Sequence, residues 1–205
     1  MISGKPIYPG EDGRTEDGRL IDRYFGTKIS GGYGKSGEGP YVIYHPKTDF
    51  YYLYVTYGWL AADGEYNMRV FRSKNPDGPY EDILGQNAVL RGSGDHSPIG
   101  NKIMGHFLFE SKTNGSSLGF GYVSPGHNSI YLDKQTGEQY LVFHTRFPYR
   151  GEAHEVRVHQ IFMNKEGWPV VAPYRYTGEK LKKLISNKYL VNINLSIMKK
   201  ILQII

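Results

Sequence analysis

The chain carries one segment twice. Gly37-Glu38 falls on Gly126-His127, Tyr44 on Tyr131, Lys47 on Lys134, Leu53 on Leu141, Arg69-Val70 on Arg157-Val158 and Asp77-Gly78 on Glu166-Gly167. The offset is 87 residues at Tyr44 and Tyr131 and 89 at Gly37 and Gly126, so the two copies stay in phase over their whole length. Each copy reads as a meander. In the first, Tyr41 to Tyr44, Tyr51 to Tyr57 and Tyr66 to Ser73 are β-branched and aromatic runs, joined by His45-Pro46-Lys47-Thr48 and closed by Asn75-Pro76-Asp77-Gly78-Pro79, which is strong turn punctuation. In the second, the runs are Gly126 to Tyr131, Gln139 to Thr145 and Glu155 to Met163. Self-similar antiparallel units of this size are the signature of radial repetition in a β-propeller, where each blade covers its neighbour's face. A ring needs at least about four blades, so two repeats predict part of a propeller or an assembly of several copies.

Composition agrees with an all-β chain: 18 Tyr, 9 Phe and 26 Gly in 205 residues favour short strands and tight turns. The net charge of +5 points to nucleic acid only if the bases form a patch. They do not. Residues 181–205 hold five lysines and no acid, which leaves 20 bases against 20 acids in the rest. No cysteine is present, so disulfides and thiolate metal sites are excluded. Met1 to Gly10 contains no apolar core of a secretion signal, and no window reaches the roughly 18 apolar residues of a membrane helix. The compartment stays open.

Three stretches fall outside the repeat pattern. Glu11-Asp12-Gly13-Arg14 and Glu16-Asp17-Gly18-Arg19 read as solvated loop tips, since they lack the acid spacing of a calcium loop. Residues 82–106, broken by Gly92, Gly94, Pro98, Gly100 and Gly105, read as a long loop with short strands. From Leu181 the chain has neither Gly nor Pro and no sustained period of 3.6 or 2.0, so 1–180 is expected to be the structured part and 181–205 an unmatched Lys/Ile/Leu-rich tail of non-native character.

The residue that draws chemical interest is Glu38, a lone carboxylate in Ser36-Gly37-Glu38-Gly39-Pro40-Tyr41, at the lip of a strand. Glycines on both sides allow a sharp turn and a close approach, and a carboxylate so placed can give or take a proton. By its neighbours alone it reads first as a solvated turn acid.

Taken together, Glu38-Gly39-Pro40-Tyr41, Tyr66-x-x-Arg69-Val70-x-Arg72-Ser73-Lys74-x-x-x-Gly78-Pro79-Tyr80, Ser124-Pro125-Gly126-His127-Asn128-Ser129, Phe143-His144-Thr145-Arg146 and Gly167-Trp168-Pro169-Val170 resemble glycoside hydrolase family 43, specifically its endo-1,5-α-L-arabinanases. The resemblance runs from about Gly26 to Glu179. It implies a partial five-bladed β-propeller, about two blades plus part of a third, from an enzyme that hydrolyses internal bonds of arabinan with inversion. Glu38 would be the general acid. The base and a second, orienting aspartate belong to the family's earlier blades, and no Asp here stands in a matching motif, so a fragment with acid but no base is expected, and little turnover from it. His127 would reach a calcium ion near the propeller axis. His144 and Arg146 are candidate substrate contacts. Tyr33, Tyr57 and Trp59 could stack on arabinose rings, against the simpler reading that they pack blade faces, and Trp168 is expected to lock the blade. A non-catalytic arabinan-binding module is the alternative.

Overall fold

The computed structural model describes residues 27–31, 37–61, 65–90, 98–113, 116–147, 151 and 153–178, with side chains undescribed at 109–120. The acid-glycine turns before residue 27, Tyr33 and the tail from residue 181 lie outside these residues. The elements below all belong to one compact unit that ends at Arg175.

The strands are β1 (Glu38–His45), β2 (Phe50–Tyr57), β3 (Asn67–Ser73), β4 (Asn101–Gly105), β5 (Phe107–Thr113), β6 (Ser116–Leu132), β7 (Gln139–Arg146), β8 (Glu155–Met163) and β9 (Pro169–Arg175). No helix occurs among the described residues, and so none is long and apolar enough to cross a membrane. One sheet has the order β1-β2-β3-β4 and the other β5-β6-β7-β8-β9, with antiparallel pairing throughout. The repeat is therefore a pair of meanders. β6 serves twice: its first half pairs with β5, register shifts follow at 123–126 and 126–129, and its second half pairs with β7.

Strand β2 shows why the sheets stack. Its alternate residues Tyr52 and Tyr54 join Met68, Val70, Ile130, Leu141, Phe143, Ile161 and Trp168 in a core between the two sheets. Leu53, Val55 and Tyr57, facing the other way, pack with Phe71, Tyr80, Ala88 and Ile99. A strand covered on both faces loses the polar alternation of a surface strand, and β2 is an almost unbroken aromatic and β-branched run. Polar contacts also join the sheets. Tyr41 Oη donates to Ile130 O at 3.0 Å. The Arg72 guanidinium lies between the rings of Phe50 (4.4 Å) and Trp168 (4.1 Å) and donates to Glu166 O at 2.7 Å.

Residues 82–132 meet the sequence reading in one respect and depart from it in another. The stretch read as a long loop with short strands holds one such strand, β4, beyond a segment that bridges the edge of β3 at Arg72 and Glu81. That segment is organised by one carboxylate: Asp82 accepts from the backbone N–H groups of Leu84, Gln86 and Gly100. Such side-chain ties leave no periodicity to read. The departure is β6, which begins at Ser116 rather than near Gly126, because its upstream half is built around glycines and pairs locally with β5.

Candidate active site

The inner corner between the sheets is a meeting of backbones. Glu38 pairs with Thr56, and a register shift separates that pair from Tyr41↔Tyr54, so β1 starts on a bulge that re-aims its first side chain. Gly39 takes a φ of +56°, and a Cβ there would lie 3.1 Å from His127 Cα. On β6, a Cβ at Gly126 would fall 2.1 Å from Tyr66 Cε1 and 2.6 Å from Thr56 Cγ2. A side chain at Gly126 would overlap the Tyr66 ring, and one at Gly39 would be both tight and strained by its positive φ. The His127 N–H, in a residue of φ +50°, donates to Thr56 Oγ1 at 2.9 Å.

Into this corner comes Tyr66, buried to 1 % exposure, whose hydroxyl donates to Glu38 Oε1. Burial, then the hydrogen bond and charge of Glu38, hold the phenol well above its ordinary pKa, so it stays a donor. Glu38 itself is exposed. The His144 ring lies 6.1 Å from the Tyr66 ring and 6.3 Å from the His127 ring, and it stacks parallel on His154 at 4.6 Å. Burial first, then the neighbouring His154, His127 and Arg146, lower the His144 pKa against an opposing pull from Glu38. Its Nδ1 is buried without a hydrogen-bond partner among the described residues.

Of the residues singled out in the sequence, the fold thus gathers Glu38, His127 and His144. Arg146 sits at the same end of the sheets, where its Nη2 donates to Leu60 O (2.7 Å) and Ser124 Oγ (2.9 Å). Tyr57 packs against Phe71 on the far face of β2, under the Arg69 guanidinium at 4.7 Å, with its pKa pushed up to about 12 by burial. Two members of the corner escaped the sequence reading. Tyr66 stands first in its motif, where its hydroxyl carried no assigned role, whereas His154 stands just before β8 in no motif.

Calcium takes about six to eight oxygen ligands. Around His127 stand the imidazole of His144 and the carboxylate of Glu38, which is already bonded to Tyr66. No group of three metal-ligating side chains occurs among the described residues. This donor set does not by itself fit calcium.

A family profile for the glycosyl hydrolases family 43 matches residues 12–169. The chain belongs to that family. It is 57 % identical over 168 residues to the extracellular endo-alpha-(1->5)-L-arabinanase 2 of Bacillus subtilis, covering 78 % of this chain and 35 % of that protein. It is 46 % identical to the extracellular endo-alpha-(1->5)-L-arabinanase of Thermotoga petrophila, over 78 % of this chain and 34 % of that one. The crystal structure of the endo-1,5-alpha-L-arabinanase from Thermotoga petrophila superposes with a TM-score of 0.70 at 46 % identity, covering 82 % of this chain and 38 % of that one. The chain thus spans about a third of the length of these relatives. Its sheets are blades of the five-bladed propeller those arabinanases share.

Proposed function

We propose that Glu38 is the proton donor in the inverting hydrolysis of internal α-1,5-L-arabinofuranosidic bonds of arabinan, carried out by a propeller of which this chain forms two blades. One observation carries the reading: the Tyr66 hydroxyl occupies Glu38 Oε1, which leaves Oε2 of an exposed carboxylate to hold the transferable proton. As the bond from the anomeric carbon to the glycosidic oxygen breaks, that proton goes to the departing oxygen. Water attacks the opposite face and loses its proton to a second carboxylate, which inverting enzymes hold roughly 6.5–9.5 Å from the first. That base is assigned to the part of the propeller that the relatives possess beyond the matched third. The names of the relatives, both extracellular, support action outside the cell.

The missing base suggests the experiment. With linear arabino-oligosaccharides, the purified 205-residue chain should turn over poorly in buffer. Azide supplied in place of activated water should restore bond cleavage, giving a glycosyl azide of inverted configuration. Glu38→Gln should abolish the azide-dependent product. Robust hydrolysis without azide, or equal azide rescue in E38Q, would overturn the assignment. Survival of arabinan binding with no azide product in the unaltered chain would favour a non-catalytic arabinan-binding module.

Calcium at His127 is supported by the family resemblance alone, and no step above runs through it. Equilibrium dialysis against calcium chloride with elemental analysis tests it: the donor set alone leads to no retained ion, whereas one ion per chain in the unaltered protein and none in His127→Ala would establish His127 as a ligand. Equal calcium in both would remove His127 as the ligand.

A further inference from the structure

Trp59 is the most conspicuous apolar group near the corner. Tryptophan is a largely buried residue type on average, yet Trp59 is 76 % exposed, beside Leu60 at 41 %. Its position follows from strand register. Glu38 pairs with Thr56, and Trp59 comes three residues after Thr56, about 10 Å along the chain at about 3.3 Å per residue. The turn after β2 therefore rises from the same end of the sheet as Glu38.

The turn is also held. Trp59 forms a bridge with Glu65 across the loop. Ser124 Oγ, wholly buried on the neighbouring sheet, reaches the carbonyls of Leu60 (3.3 Å) and Ala61 (3.1 Å), and Arg146 Nη2 donates to Leu60 O at 2.7 Å. Two side chains from the second blade, Ser124 and Arg146, thus converge on the backbone next to an exposed indole. An outward-facing aromatic side chain on an anchored backbone, with only two χ angles to fix, loses little entropy on binding, and it suits a ligand with an apolar face and polar edges. A furanose ring of an arabinan chain is such a ligand.

We infer that Trp59 is a sugar platform on the rim of the cleft, on which an arabinofuranose unit of the substrate stacks beside the bond presented to Glu38, with Ser124 and Arg146 as its inter-blade anchors. The inference rests on the proposed function and names one subsite of it. Arg146 then serves the substrate by positioning Trp59.

The chain contains two tryptophans, and Trp168 is buried in the inter-sheet core under Arg72, so Trp59 dominates any ligand-induced change in emission. Titration of the full chain with linear arabino-oligosaccharides should shift and saturate the tryptophan emission, with the same Kd by calorimetry. Trp59→Ala should weaken binding by about tenfold or more. Trp59→Phe should restore most of the affinity while abolishing the emission change, which separates stacking from folding. Arg146→Ala should weaken binding and leave the free-state emission closer to that of a mobile, fully solvated indole. Full affinity in W59A, or saturable binding with unchanged emission, would overturn the platform while leaving the proposed function standing. Failure of the unaltered chain to bind the oligosaccharide would overturn both.

Discussion

The Tyr66 ring fills the space in which a side chain at Gly126 would stand: a Cβ there would come within 2.1 Å of Tyr66 Cε1. A glycine on one blade is therefore what lets a phenol on the other reach Glu38. Gly126→Ala should push the ring aside and strain Thr56 as well, at a cost of about 1–3 kcal/mol. Urea unfolding measures it, and a midpoint unchanged from the parent chain would show that the corner can relax.

Tyr66→Phe removes only the donor to Glu38 Oε1. Because Glu38 is exposed, water can replace the lost bond, and the stability cost should stay near about 1 kcal/mol. The azide-dependent turnover should fall markedly while the Kd for arabino-oligosaccharide stays within about twofold. A drop in affinity matching the drop in turnover would mean that Tyr66 supports binding and not the acid.

Acid should weaken the fold through His159. Its ring is fully buried, with Nδ1 donating to Ala172 O at 2.7 Å and Nε2 accepting from Tyr122 Oη at 2.8 Å. Protonation would turn the acceptor into a second donor facing a hydroxyl. Burial, opposed by the Ala172 bond and assisted by Arg157, puts the folded pKa below the ordinary 6.5. A lowered histidine pKa means that the unfolded chain binds more protons, so stability is complete above about pH 6.5 and declines as pH falls below it toward the folded pKa. The buried His45 and half-buried His144 shift the same way. Urea midpoints from pH 8 to pH 5 should hold steady at first and then fall. A rise on acidification would contradict the assigned tautomer.

Arg72 joins the blades by its plane as much as by its charge, lying between Phe50 and Trp168. Arg72→Lys keeps the charge but not the flat surface or the fork that reaches Glu166 O. Both Arg72→Lys and Arg72→Ala should lose about 1–3 kcal/mol. Thermal unfolding of the two variants measures this, and full stability in the lysine variant would reduce the contact to charge alone.

The amino-acid sequence by itself determined the meanders, their repetition and therefore the blade, because alternation, turn chemistry and an offset of fixed length are local properties of the chain. It also placed Glu38 and His127 at matching points of the two copies, and the structure sets Gly39 directly against His127. The bounds of β4 and the upstream half of β6 were not legible, since Asp82 ties the segment before β4 and Gly119 and Gly121 interrupt β6 without periodicity. Tertiary structure alone decided which aromatics pack and which face out. Tyr57 and Trp59 stand two residues apart and look alike as ring-bearing side chains, yet one is 3 % exposed and the other 76 %. The difference is strand register: Tyr57 is the last residue of β2 on its outer, core-packed face, whereas Trp59 lies past the strand end, where no neighbouring strand or sheet among the described residues covers it.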